Sequence, residues 1–232
     1  MSKNYKSFSS VAKSRFKGMA NELGYEQVSG IVYQKENDGW FEGFSLQASQ
    51  WGNDFFYINY GVCIPNLWEP FSAEINRENI GGYLLSHRLH NDHNQGFDNG
   101  TKEQVEKSAS IALEKYKEQA VPWFRDIKGL NDIAERYFDS KNLDKNNIGK
   151  HEYFSKLGAA NYGLLLFKAG QLNEAKIWLN EADRLYSLPL YSTPDGRWIH
   201  EKEKYARLMN PESYQVSQHN TIKKVIQKIE CA

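Results

Sequence analysis

The chain has 232 residues, enough for one large domain or two small ones that each bury a core. Its 29 lysines and arginines balance 29 aspartates and glutamates, so no overall field steers it onto nucleic acid or an anionic membrane, and neither is expected as a partner. With two cysteines, Cys63 and Cys231, no C-x-x-C pair, no apolar run of signal-peptide length after the opening residues and no stretch near the roughly 18 apolar residues of a membrane span, a soluble cytoplasmic protein without a disulfide framework is expected.

From about Tyr5 to Leu23 the residues Phe8, Val11, Ala12, Phe16, Met19, Ala20 and Leu23 recur at helical spacing, and Gly24 supplies a stop. The period then changes to that of strands. Gly30 to Lys35 is β-branched and aromatic, Asn37-Asp38-Gly39 is hairpin chemistry, and Trp40 to Gln50 alternates. After Trp51-Gly52-Asn53-Asp54, a third strand runs from Phe55 to Ile64 and ends at Pro65, which cannot donate to a ladder. Tyr83-Leu84-Leu85 suits a fourth strand, and Asn91 to Gly100 reads as a polar surface loop. An antiparallel meander of three to four strands packed on the opening helix follows.

Thr101 and Gln104 have the spacing of a capping box, which predicts a helix to about Ala120, broken by Pro122 and followed by a short helix from Leu130 to Phe138. The polar run Asp139 to Gly149 marks a boundary, giving an α+β domain at 1–140 and a helical domain at 141–232. In the latter, His151 to Lys168, Leu172 to Tyr186, Trp198 to Leu208 and Thr221 to Glu230 read as helices, punctuated by Pro189, Pro194-Asp195-Gly196 and Pro211.

Two segments resemble known families. Ala159 to Tyr186 resembles a single tetratricopeptide repeat: Gly163, Gly170, Ala175 and Ala182 stand at its small positions and Leu166 and Leu179 at large apolar ones. It departs from the pattern at Ala159, where a large aromatic is common, and at Pro189, two residues late. One repeat makes a helical hairpin; a solenoid needs three or more. The first half, from about residue 5 to 138, is similar to a bacterial family catalogued as domain of unknown function 4304. The likeness rests on Gly24-Tyr25, Tyr33, Leu46-Gln47-Ala48-Ser49-Gln50-Trp51-Gly52, Phe56 to Val62, Arg88-Leu89 and Val121-Pro122-Trp123-Phe124. That family carries no established activity, so the resemblance hands over no catalytic residues. It implies a compact α+β domain of bacterial origin. Domains of this general sort occur among bacterial toxin-neutralising proteins, which by analogy favours protein binding, although fold alone does not settle function.

His87, His90 and His93, with Asp92 and Asp98 nearby, are the candidate metal ligands. Spaced by three they spread around a helix, and they converge only on an extended loop; solvated histidines are the plainer reading. His151-Glu152 opens like a zinc-protease helix, but Ser155 stands where the second histidine is needed. Ser45 lacks the glycine and the strand-to-helix turn of a nucleophile elbow, and Cys63 sits in an apolar run that suits an inert thiol. No phosphate-binding glycine motif occurs, and no cofactor is expected. Lys6, Lys13 and Lys17 fall near one face of the first helix, where an acidic partner or RNA could use them but a solvated polar face is the plainer reading.

The 6 tryptophans, 14 tyrosines and 12 phenylalanines make 14% of the chain, and such residues fill cores or anchor interfaces. Trp51 and Trp68, each beside turn residues, are the candidate partner-binding positions. Together these features predict a non-enzymatic protein that neutralises a cognate toxin by covering it. The alternatives are a metal-dependent hydrolase using His87, His90 and His93, and a peptide-binding adaptor using the helical hairpin.

Overall fold

The structure, a computed structural model, describes residues 8–29, 32–48, 55–72, 83–91, 96–144, 153–189, 191–192, 198–199, 207–209 and 211–232. The chain is α+β and groups into two compact units: Met1–Pro65 with Asn76–Gly129, and Asn66–Ile75 with Leu130–Ala232. The Leu130 helix, assigned from sequence to the first half, therefore belongs with the C-terminal helices.

In the first unit, helix α1 (Phe8–Glu22) buries Phe8, Val11, Ala12, Phe16, Met19 and Ala20, the stripe its periodicity predicts. It ends at Gly24, whose φ of +78° is left-handed, and the Tyr25 N–H returns 2.7 Å to the Ala20 carbonyl. Strands β1 (Glu26–Ser29), β2 (Val32–Asn37), β3 (Trp40–Ala48), β4 (Phe55–Cys63) and β5 (Leu85–Arg88) pair in that order, all antiparallel, and the two-residue β6 (Phe97–Asp98) also pairs with β4. The β2–β3 hairpin closes Asn37 onto Trp40 through Asp38-Gly39, with Gly39 at φ +80°.

The meander is thus wider than the sequence indicates. All four residues of β1 are exposed, so it carries no apolar alternation to announce it, and β6 lies inside the expected surface loop. The strand expected at residues 83–85 sits at Leu85–Arg88 instead, in register with Asn59–Val62 of β4.

Strand alternation sends Tyr33, Phe44, Leu46, Phe56, Ile58 and Tyr60 to one face, against the helices. Phe44 stacks on Tyr33 at 4.8 Å and meets Tyr116, Phe16 and Tyr25 at 4.8, 5.4 and 5.5 Å between ring centroids. Thr101 caps α2 (Lys102–Lys115) in a complete capping box with Gln104.

Pro122 does not break the helix as expected. The ladder widens through a π-turn at Tyr116–Ala120, where the Val121 N–H reaches back five residues to the Tyr116 carbonyl, and a final helix α3 (Val121–Arg125) follows. A prolyl ring that would clash in a continuous α-helix is accommodated where the hydrogen-bond spacing changes.

The second unit contains α4 (Leu130–Ser140), α5 (Tyr153–Lys168), α6 (Leu172–Ser187) and α7 (Ser213–Glu230). The α5–α6 hairpin turns at Gly170, φ +78°, and buries Ala159, Leu164, Leu166, Ala175, Leu179 and Ala182. This region is not all-helical. The expected helix from Trp198 to Leu208 is replaced at its described ends by two-residue strands, β8 (Trp198–Ile199) and β9 (Arg207–Leu208), which flank β7 (Tyr191–Ser192). Long-range pairing to Tyr191–Ser192 overrides local spacing there. Helix α7 starts at Ser213, earlier than Thr221, because Glu212 and Gln215 form a capping box ahead of the apolar stripe.

Gly163 shows how close α5 and α6 come: a β-carbon there would lie 2.8 Å from Leu179 Cγ and 3.1 Å from its backbone nitrogen. Gly163→Ala gains about 1 kcal/mol of helix propensity but overpacks the contact by about 1–3 kcal/mol. Net destabilisation is expected, read as a lower urea midpoint, whereas the same change at Gly158, where only Leu143 lies in ordinary contact, should not lower it.

Candidate functional site

The face of the sheet turned away from α1 and α2 carries Ser45 and Gln47 on β3, Tyr57 and Asn59 on β4, and Arg88 on β5. Register places Gln47 opposite Tyr57, Ser45 opposite Asn59, and Asn59 opposite Arg88. All five are half-exposed, so this end of the face is open, whereas further along it Phe41 and Cys63 are buried and Tyr83 packs over Gly43 and Gly61. They are also tied together. Arg88 Nε donates to Asn59 Oδ1 at 3.1 Å and its Nη2 to Gln47 Oε1 at 3.4 Å, while Asn59 Nδ2 donates to the same Gln47 oxygen at 2.8 Å. The guanidinium carbon stands 4.2 Å from the centroid of the Tyr57 ring, a cation–π contact. Four side chains from three strands thus present a fixed guanidinium, a phenol and two amides.

Where the β2–β3 hairpin meets α3, a cavity of about 340 Å³ is lined by Leu23, Trp40, Phe124 and Ile127 with Tyr25 and Glu42 among its polar groups. Glu42 is buried and pairs with Lys35 at 3.4 Å. Tyr116 donates to the Tyr25 hydroxyl at 3.0 Å, and Glu42 lines the same cavity as Tyr25. Burial above all, and then the Glu42 charge, holds the Tyr25 hydroxyl far above its ordinary value, and burial does the same to Tyr116. Burial pushes the Cys63 thiol up to about 12, so at neutral pH it is not a thiolate and not an activated nucleophile.

The histidine segment is spread out. The His87 ring stacks on Tyr60 at 5.5 Å and meets the edge of Trp123 at 4.9 Å. The His90 main chain exchanges two hydrogen bonds with the Gln119 amide, at 3.0 and 2.9 Å. His93 lies outside the described residues, as do Trp51, His151, Glu152 and Lys6. Among the described residues no group of three or more His, Cys, Asp or Glu side chains is placed to hold a metal ion.

Trp68 is half-buried in the second unit. Its indole N–H donates to Asn161 Oδ1 at 2.9 Å, Asn161 Nδ2 donates to the Tyr137 hydroxyl at 3.1 Å, and the Trp68 carbonyl accepts from Thr221 at 3.3 Å. Its polar edge is therefore engaged within its own unit. On α1, Lys13 and Lys17 are exposed, and Arg15 pairs with Glu106 at 3.0 Å. The Tyr83 ring packs over Gly43 and Gly61 on the face that carries Ser45.

Gln47, Tyr57, Asn59 and Arg88 all fall within the family-like segments of the sequence, but nothing in those segments singles them out as a site. The alternating polar positions of β3 and β4 were the available signal; their meeting with Arg88 needed the register.

Residues 16–126 match the model of a family described as a domain of unknown function (DUF4304). The matching segment runs from the middle of α1 to the end of α3, and so carries the sheet, all the cavity's lining residues but Ile127, and all four residues of the Arg88 network. It ends before α4 and so leaves out the helices of the second unit, although residues 66–75 of that unit lie within it. Neither a curated protein nor a solved structure matches the chain.

The buried hydroxyls and thiol have a consequence at alkaline pH. Tyr25, Tyr83, Tyr116 and Cys63 all have folded-state pKa values above their ordinary values of 10.0 and 9.0, so the unfolded chain gives up these protons first. Their stability contribution is intact below pH 9 and is lost as pH rises beyond it. Urea midpoints should fall from pH 9 upward and more steeply above pH 10, and Cys63→Ala should flatten the first part of that fall.

Proposed function

We propose that the protein binds another protein without catalysing a reaction, and that the open end of the sheet face carrying Arg88 is its docking surface. The single observation behind this is the Arg88–Tyr57–Asn59–Gln47 assembly. Arginine and tyrosine are favoured interface anchors, and side chains already held by stacking and hydrogen bonds lose little freedom on association. Burial raises the pKa values of Tyr25 and Tyr116 on the helix face and of Cys63 on the other face and keeps these groups neutral, which suits a structural role better than nucleophilic or general-base work.

The more specific form is a bacterial, cytoplasmic, toxin-neutralising protein that covers the working surface of a cognate toxin. Family type supports it. The aromatic composition supports it less, because Phe8, Phe16, Tyr33, Phe44, Phe97 and Tyr116 are all in the core. In this reading the α5–α6 hairpin, a single tetratricopeptide-like unit, braces or extends the binding domain and is not itself a peptide groove.

The test is affinity capture from the native cell with the wild-type chain and with Tyr57→Ala, followed by quantitative mass spectrometry. A stoichiometric protein partner is expected on the wild type, and its retention should fall at least tenfold on the variant, equivalent to about 1.4 kcal/mol. Equal retention would move the docking surface elsewhere. Recovery of no stoichiometric partner would sink protein binding altogether.

A further inference from the structure

We infer that Arg88 is a pre-formed anchor for a carboxylate, supplied by an acidic side chain of the bound protein. This rests on the docking reading above and names the chemistry of the contact. A guanidinium has five N–H donors. In Arg88 hydrogen bonds engage Nε and Nη2, both with neutral amide oxygens. None of the described carboxylates pairs with it, although the side chain is half-buried. A partly desolvated charge with only neutral partners is stabilised when an anion meets it.

The surroundings fix which edge is available. Tyr57 covers one face of the guanidinium, and Asn59 and Gln47 hold its Nε side, which leaves the terminal nitrogens as the planar fork that matches a two-oxygen acceptor. Gln47 adds to this. Because its Oε1 accepts from both Asn59 and Arg88, its amide orientation is set, and its Nε2 is a further donor on the same face.

The charge selects the anion. Ser45, Gln47, Tyr57 and Asn59 are neutral, so the site offers one positive charge. A singly charged carboxylate matches it one for one, whereas a phosphate dianion calls for more cations.

The experiment follows the side-chain Nε–Hε signal of Arg88 by NMR in the full-length ¹⁵N-labelled protein, assigned by its disappearance in Arg88→Gln. The probes are an end-blocked hexaglutamate peptide, inorganic phosphate and sodium chloride at matched ionic strength. The peptide should move the signal saturably and beyond the chloride effect. In Arg88→Lys, which keeps the charge and loses the fork, the backbone amide shifts of Gln47 and Asn59 should require at least tenfold more peptide. Thermal melts of both variants establish that they fold. Peptide shifts no larger than those of chloride overturn the anchor, as do undiminished shifts in Arg88→Lys. Tighter binding of phosphate overturns the carboxylate assignment. The two readings fail separately: a captured partner that Arg88→Gln retains in full removes the anchor alone, whereas a peptide-responsive Arg88 in a chain that captures no partner removes the docking role and leaves an anion site.

Discussion

Phe44, on β3, sits where β2, α1 and the π-turn meet in the first unit's core. Its ring lies 4.8 Å from both Tyr33 and Tyr116 and within 5.5 Å of Phe16 and Tyr25, so it joins β2, α1, the residue that leads into β1, and the π-turn in one aromatic cluster. Such contacts combine large buried area with preferred ring geometry. They also fix the register. With Phe44 turned inward, Ser45 must turn outward, and so must Gln47 two residues on. Pairing then carries that choice to Tyr57, Asn59 and Arg88. A slip of one residue would exchange the two faces and bury the polar set. The candidate binding surface is therefore a consequence of how the core packs.

The two faces differ in what they do to ionisable groups. On the helix face burial keeps the Tyr25 and Tyr116 hydroxyls protonated, and a buried carboxylate there, Glu42, is matched by Lys35. On the other face the half-exposed Arg88 guanidinium lies against a ring and two amides. The first environment suits stability and the second recognition. This division, more than the presence or lack of any motif, favours binding over bond-making.

The second unit shows the same economy of polar groups. Tyr137, Asn161, Trp68 and Thr221 form a chain of hydrogen bonds that joins α4, α5, the segment at residues 66–75 and α7. Gly163 and Leu179 let α5 and α6 approach closely. The tryptophan that looked like an interface anchor by its position beside a turn has its indole nitrogen committed to that chain.

Local chemistry in the sequence was enough to determine features whose partners lie within a few residues. The stop of α1 at Gly24, the Asp38-Gly39 hairpin, the Thr101–Gln104 cap and the α5–α6 hairpin at Gly170 are all of this kind. Tertiary structure alone decided the rest. It recruited the exposed β1, carried a helix past Pro122, made strands of Trp198–Ile199 and Arg207–Leu208, and assigned α4 to the second unit. The Arg88 assembly belongs to this second group, because Arg88 is 29 residues from Asn59 and 41 from Gln47. Nothing in the immediate neighbourhood of any of its members encodes their meeting; only strand pairing, imposed by the burial of the opposite face, brings them within hydrogen-bonding reach.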